Sequence, residues 1–141
     1  MNEIIYPRSP REVMSGWVCL PRFVDKIRLH LAGKLHPDYQ ENFTEGFDGA
    51  WLKAAGVTSE EFINVVKNTI TDGEVADWVL KNVKRTDAEK AAHREQVLNY
   101  GRNGDEALQA RLKLRKEQNG LARRDDIQCF VDLIDADEKR I

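Results

Sequence analysis

Apolar residues recur every three or four positions between Leu20 and Leu31. They form one stripe of a helix at Leu20, Phe23, Val24, Ile27 and Leu31. Pro21 suits the first helical turn, where its missing N–H has no partner to lose. Gly33 suits a left-handed residue after the last turn. Leu29 points away from the stripe, so the sequence predicts a central helix near residues 20–33 that is covered on both sides.

Four Ser/Thr-x-x-Glu sequences predict further helix starts, because the hydroxyl and the glutamate can cap the first turn reciprocally. They begin at Ser9, Thr58, Thr71 and Thr86. The first is expected to open a short helical turn that ends near Gly16. The helix after Thr58 is expected to bury Phe62, Val65, Val66, Thr69 and Ile70.

The remaining pattern contains no convincing alternation of apolar and polar residues bounded by hairpin turns. We therefore predict an all-α fold, a single compact bundle of seven or eight short helices around the helix near residues 20–33. Residues 1–141 are expected to form one domain. The longest stretch without a periodic apolar pattern is the polar loop Lys34–Thr44.

The composition is that of a well-solvated protein, with 41% hydrophobic and 33% charged residues. No apolar run approaches the length of a membrane span, and the first residues lack the pattern of a secretory signal. Cys19 and Cys129 lack the C-x-x-C spacing of a metal or redox site. These features predict a cytoplasmic protein with no membrane partner.

The net charge of −2 is the sum of four segments of alternating sign. Their net charges are +3, −6, +5 and −4 over residues 1–36, 37–82, 83–124 and 125–141. Alternating blocks suit a bundle of oppositely charged helices or a self-complementary homodimer.

Two charged segments are explained by solvation or by ion pairing and need no binding partner. The basic side chains near residues 111–124 have no aromatic neighbour to stack a base, so we expect a solvated helix face and no nucleic-acid partner. The acidic side chains at the other end are expected to form a solvated tail or to pair with the basic block. That acidic group comprises Asp132, Asp135, Asp137 and Glu138.

The chain shows no sequence pattern of a nucleophile elbow, a P-loop or a dinucleotide-binding turn. His30, His36 and Asp38 lack the spacing of a zinc site. We therefore predict no metal and no cofactor.

Arg22, Asp25 and Arg28 lie within side-chain reach of one another on the central helix. One interpretation, which we favour, is an ion-pair ladder that holds this helix to its neighbours. The other is that Asp25 orients guanidinium groups toward an anionic ligand, because arginine presents a rigid fork to carboxylate or phosphate.

The candidate ligand-binding residues are Arg8, Arg11, Arg22, Asp25, Lys26, Arg28 and Tyr39. They favour a non-enzymatic module that binds a small anion or an acidic peptide. A small enzyme acting on a phosphorylated or carboxylated metabolite at the same residues is the first alternative, and a homodimeric interaction protein without a ligand site is the second.

Two segments resemble a known family. PRSPREVMSGWVCLPRFVDKIRLHLAGKL (Pro7–Leu35) is similar to the opening of an uncharacterised bacterial family, domain of unknown function 5069, and RRDDIQCFVDLIDADEKR (Arg123–Arg140) resembles its closing helix and acidic tail. HPDYQENFTEGFD stands where the family has a segment with tyrosine and cysteine, and it keeps Tyr39 without a cysteine. The resemblance implies a mostly helical bacterial domain and brings no assigned activity.

Overall fold

The computed structural model describes residues 4–102 and 105–141. The chain divides into two compact units, residues 1–93 and residues 94–141. The single domain expected over residues 1–141 stays a prediction.

The described residues form eight helices and one two-stranded sheet. The first unit contains β1 (Val13–Met14), β2 (Trp17–Val18), α1 (Leu20–Leu31), α2 (Pro37–Gln40), α3 (Gly46–Ala55), α4 (Ser59–Lys67) and α5 (Asp72–Asn82). The boundary falls within α6 (Asp87–Leu98), and the second unit also contains α7 (Glu106–Gln118) and α8 (Phe130–Asp137). The predicted all-α class with seven or eight short helices is confirmed.

The predicted helical turn after Ser9 is wrong, because a β-hairpin occupies this segment. β1 and β2 pair antiparallel, with Met14 opposite Trp17. The two turn residues, Ser15 and Gly16, have φ of 53° and 84°, which suits the tight turn that matches strand twist. The hydroxyl of Ser9 accepts the N–H of Arg11 without starting a helix.

The central helix is confirmed as α1, and Gly33 follows it with φ of 70°. The prediction is wrong for two residues that we expected in the core, Leu31 and Ile70. Leu31 is 45% exposed in the last turn of α1. Ile70 is 87% exposed, because α4 ends at Lys67 before it.

The first unit packs around an aromatic centre. The ring of Phe62 lies 5.4 Å from that of Phe23 and 4.7 Å from that of Trp51, and Trp17 packs edge-on against Trp51 at 6.2 Å. The buried apolar cluster consists of Met14, Trp17, Leu20, Phe23, Val24, Ile27, Trp51, Leu52, Ala55, Phe62, Val66, Val75, Val79 and Val83. One face of α1 therefore supplies the middle of the core.

The second unit has a smaller core of Leu112, Ile127, Leu133 and Ala136. Its acidic residues correct the expectation of a solvated tail, because Asp132, Asp135 and Glu138 are buried. Arg140 Nη1 lies 3.1 Å from Asp135 Oδ1 and 2.6 Å from Glu138 Oε1. Two of these acidic residues therefore pair with Arg140, which follows them in the sequence.

A buried ion pair joins α1 to α3. Lys26 Nζ lies 2.6 Å from Asp48 Oδ2, and both residues are buried. Burial raises the pKa of Asp48, whereas the charge of Lys26 and the N–H of Thr44 act in the opposite direction. The pair satisfies two charges that would be costly to bury alone.

His93 is buried against Trp17, with the ring centroids 5.3 Å apart. Neither ring nitrogen finds a hydrogen-bond partner in the part of the chain that the structure describes. Burial lowers the pKa of His93 below its ordinary value near 6.5, so the folded protein holds a neutral imidazole.

We expect Lys26→Met to destabilise the protein by about 3–5 kcal/mol, because it leaves the Asp48 carboxylate buried without its cation. Adding Asp48→Asn should recover most of this loss, since no unpaired charge then remains. Urea unfolding measures both. A cost below about 1 kcal/mol, the range of exposed pairs, would show that Asp48 does not depend on Lys26.

We expect the free energy of unfolding to decrease as the pH falls below about 6.5. At that pH the unfolded chain binds a proton at His93, whereas the folded protein resists protonation there. A histidine whose pKa is lowered by folding therefore reduces stability below its unfolded pKa and has no such effect above it. His93→Phe should flatten this dependence between pH 7 and 5, roughly the range in which histidine titrates. His30→Gln, at an exposed histidine, is the control, and an unchanged slope in His93→Phe would contradict the assignment.

Candidate functional site: an arginine cluster on the first unit

The candidate site is an ion-pair network that we call the arginine cluster. It consists of Arg8, Arg22, Asp25, Arg28 and Asp72. Arg8 comes from the segment before the hairpin, residues 4–12, which we call the arm. Three residues come from α1, and Asp72 is the first residue of α5. The cluster therefore joins three segments that are far apart in the sequence.

Arg8 and Asp25 form the central pair. Arg8 Nε and Nη2 each donate to one carboxylate oxygen of Asp25 at 3.0 Å, and the backbone N–H of Arg8 donates to Oδ2 at 2.9 Å. This two-pronged geometry is the strong form of an arginine–carboxylate contact. The hydrogen bonds to Asp25 raise the pKa of Arg8, so its charge is permanent.

Asp72 bridges two arginines. Its Oδ2 lies 2.9 Å from Arg8 Nη1, and its Oδ1 lies 2.6 Å from Arg28 Nη1. Partial burial alone would raise the pKa of Asp72, but the hydrogen bonds from Arg8 and Arg28 lower it. Two guanidinium groups therefore hold one carboxylate between them.

Arg22 completes the cluster on the side of the Lys34–Thr44 loop. Its Nη1 donates to the carbonyl oxygen of Arg8 at 3.1 Å. Its guanidinium lies over the ring of Tyr39, 5.5 Å from the centroid, within the range of a cation–π contact. Tyr39 belongs to α2, a short helix in the segment that the sequence left without a pattern.

The cluster is accessible from solvent although parts of it are covered. The side chains of Arg8, Arg28 and Asp72 are 37%, 33% and 41% exposed. Arg28 Nη2 is nevertheless buried and has no acceptor among the described residues. A buried donor without a partner is uncommon and costly.

The structure brings together four of the predicted site residues, Arg8, Arg22, Asp25 and Arg28, and it adds Tyr39 through Arg22. The contacts differ from the predicted ladder, because Asp25 pairs with Arg8, 17 positions earlier in the sequence, and Arg28 pairs with Asp72.

Two predicted residues lie elsewhere. Lys26 is buried in its pair with Asp48, and Arg11 lies at the exposed turn after Ser9. Sequence reasoning missed Asp72. The Thr71 capping box placed it at the start of a helix, but nothing local showed that this helix begins beside α1.

His30 and His36, whose spacing in the sequence does not fit a zinc site, form other contacts. His30 Nδ1 lies 3.0 Å from Gln40 Oε1, and His36 Nδ1 accepts the N–H of Asp38 at the start of α2. Over residues 4–102 and 105–141, no group of three or more His, Cys, Asp or Glu side chains is placed to hold a metal ion. Within the same residues, no helix has the length and apolarity needed to cross a bilayer.

Fold and site together define a small helical protein with a partly exposed arginine–aspartate cluster on its first unit. A family model described as Domain of unknown function (DUF5069) matches residues 4–140. The chain therefore belongs to this family, as its two end segments indicated. No curated protein matches it.

We expect Asp25→Asn to lower the free energy of unfolding by about 1–2 kcal/mol, the scale of hydrogen bonds to a charged group at a partly solvated position. Asp77→Asn, an equal charge change at an exposed position of α5, should change stability little. Chemical denaturation of the two variants compares them directly. Equal stability would show that the Arg8–Asp25 pair does not hold the arm to α1.

Proposed function

We propose that this protein is a non-enzymatic module that binds a small anion or an acidic peptide at the arginine cluster. The observation that supports the proposal most is the bridged carboxylate of Asp72. Arg8 and Arg28 approach it from two sides, at 2.9 Å and 2.6 Å. The two guanidinium groups therefore have a spacing that a carboxylate or a phosphate can occupy.

The charge of the cluster also favours an anion. The cluster consists of three guanidinium groups and two carboxylates, so its own formal charge is +1. Arg28 Nη2 adds a donor that finds no acceptor in the described chain. An anion with several oxygens offers more acceptors than the single carboxylate of Asp72 does.

Asp72 acts as an internal competitor in this proposal. Its side chain is 41% exposed and lies at the first position of α5, so it can turn toward solvent without unpacking the core. An external carboxylate or phosphate then takes its place between Arg8 and Arg28. Asp25 stays on Arg8 and keeps that guanidinium in position.

The proposal includes a cytoplasmic location in a bacterium. Two unpaired, buried cysteines support a reducing compartment, and the bacterial origin is the one that the family resemblance implies. A small enzyme at the same residues and a homodimer without a ligand site stay alternative predictions.

The test is to remove the internal competitor. We expect Asp72→Asn to bind inorganic phosphate and citrate roughly tenfold more tightly than the wild type, which corresponds to about 1.4 kcal/mol. Arg28→Ala should weaken binding. Thermal shifts and titration calorimetry give the affinities.

Asp77→Asn is the matched control, since it makes the same change of charge on the same helix away from the cluster. If Asp77→Asn raises the affinity as much as Asp72→Asn does, the effect is one of net charge and the proposal fails. It also fails if neither anion stabilises the wild type or Asp72→Asn at low ionic strength.

A further inference from the structure

We infer that the ligand of the arginine cluster is an acidic peptide segment that also carries apolar side chains, which contact Leu31 and Ile70. This inference rests on the proposed function and names the class of its partner. It begins from the two residues that helical periodicity assigned to the core and that the structure leaves exposed, Leu31 at 45% and Ile70 at 87%.

Both residues are positioned by the Arg28–Asp72 ion pair. Leu31 comes one helical turn after Arg28 in α1, and Ile70 precedes Asp72 by two residues before α5. The contact of 2.6 Å between Arg28 Nη1 and Asp72 Oδ1 brings these two segments together. Each exposed apolar residue therefore lies within three positions of one member of the ion pair.

An isolated exposed leucine or isoleucine is ordinary on a protein surface. The combination with charge is what points to a partner here. Lys34 and Lys67 are exposed, and each lies three residues from one of the two apolar side chains. The carboxylate of Glu74, the last residue of the capping box, accepts the N–H groups of Ile70 and Thr71.

A ligand that pairs with the arginines and also contacts Leu31 and Ile70 needs negative charge together with apolar groups. A free phosphate or a small carboxylic acid has no apolar part to contact Leu31 and Ile70. A peptide supplies both kinds of group along one short chain. An anionic membrane has both as well, but interfacial binding uses a continuous apolar helix face, whereas Leu31 and Ile70 are two single side chains on different segments.

The test measures the binding of a short fluorescent peptide of alternating glutamate and leucine by anisotropy, beside the binding of inorganic phosphate. We expect Ile70→Ser and Leu31→Gln each to weaken peptide binding about fivefold to tenfold, the scale of one lost apolar contact. Phosphate binding should stay as in the wild type. Ile70 is so exposed that its replacement should leave the unfolding temperature unchanged.

Leu80→Ser is the matched control, because Leu80 is 56% exposed on α5, eight residues beyond Asp72. It should leave peptide binding unchanged. An equal loss in Leu80→Ser and Ile70→Ser would overturn the inference, and so would a peptide of glutamate alone that binds as tightly as the mixed one.

Two further results separate this inference from the proposed function. If phosphate binds and the mixed peptide does not, the anion site stands and the peptide is the wrong partner. If neither binds, the proposed function fails and the inference with it. Anionic phospholipid vesicles that bind the protein in an Ile70-dependent way, without peptide binding, would replace the peptide by a membrane surface and overturn the inference.

Discussion

The first unit depends on the enclosure of α1, which leaves two of its charged side chains, Arg22 and Lys26, little contact with water. One face of the helix lies in the aromatic core, and Arg22 and Lys26 are buried on its flanks. A charge in such surroundings needs a partner, since desolvation is costly unless an opposite charge and hydrogen bonds replace the water. Lys26 meets this need with Asp48 of α3, and Asp25 meets it with Arg8 of the preceding arm.

This constraint determines which segments surround the helix. Because the partners of Lys26 and Asp25 come from different elements, α1 is tied to α3 on one side and to the arm on another. Arg28 adds the start of α5 through Asp72. The ion pairs contribute less free energy than the aromatic core does, but they are directional, so they fix the position of each neighbour relative to α1.

Local signals predicted most of the helices and their ends. The apolar spacing gave α1, and the hydroxyl of Thr71 with the carboxylate of Glu74 forms the complete capping box that the sequence indicated. Such signals succeed because a cap or a stripe needs only neighbouring residues. The Ser9 signal failed because Ser15 and Gly16 provide two consecutive residues with positive φ, and the hairpin that this turn allows buries Trp17.

The candidate site could be predicted only in part for the same reason. Its arginines were visible on one helix, but the contact between Asp25 and Arg8 spans 17 positions and that between Arg28 and Asp72 spans 44. Periodicity also placed Leu31 and Ile70 inside, since a repeat of 3.6 residues continues past the point at which neighbouring helices stop covering it. Long-range pairing and the extent of the core are properties of the assembled fold.

A structural ion-pair network and an anion receptor use the same geometry, and they differ in what the bridging carboxylate is for. If Asp72 serves only to join α1 and α5, each buried donor at the bridge should have an acceptor, because an unpaired buried donor costs stability. Its side chain is instead 41% exposed, and the buried Nη2 of Arg28 beside it finds no acceptor in the described residues. At Lys26 and Asp48 the same unit buries both partners of an ion pair, with the two charged atoms 2.6 Å apart. The contrast between these two sites on one helix favours a role for the exposed site that stability alone does not require.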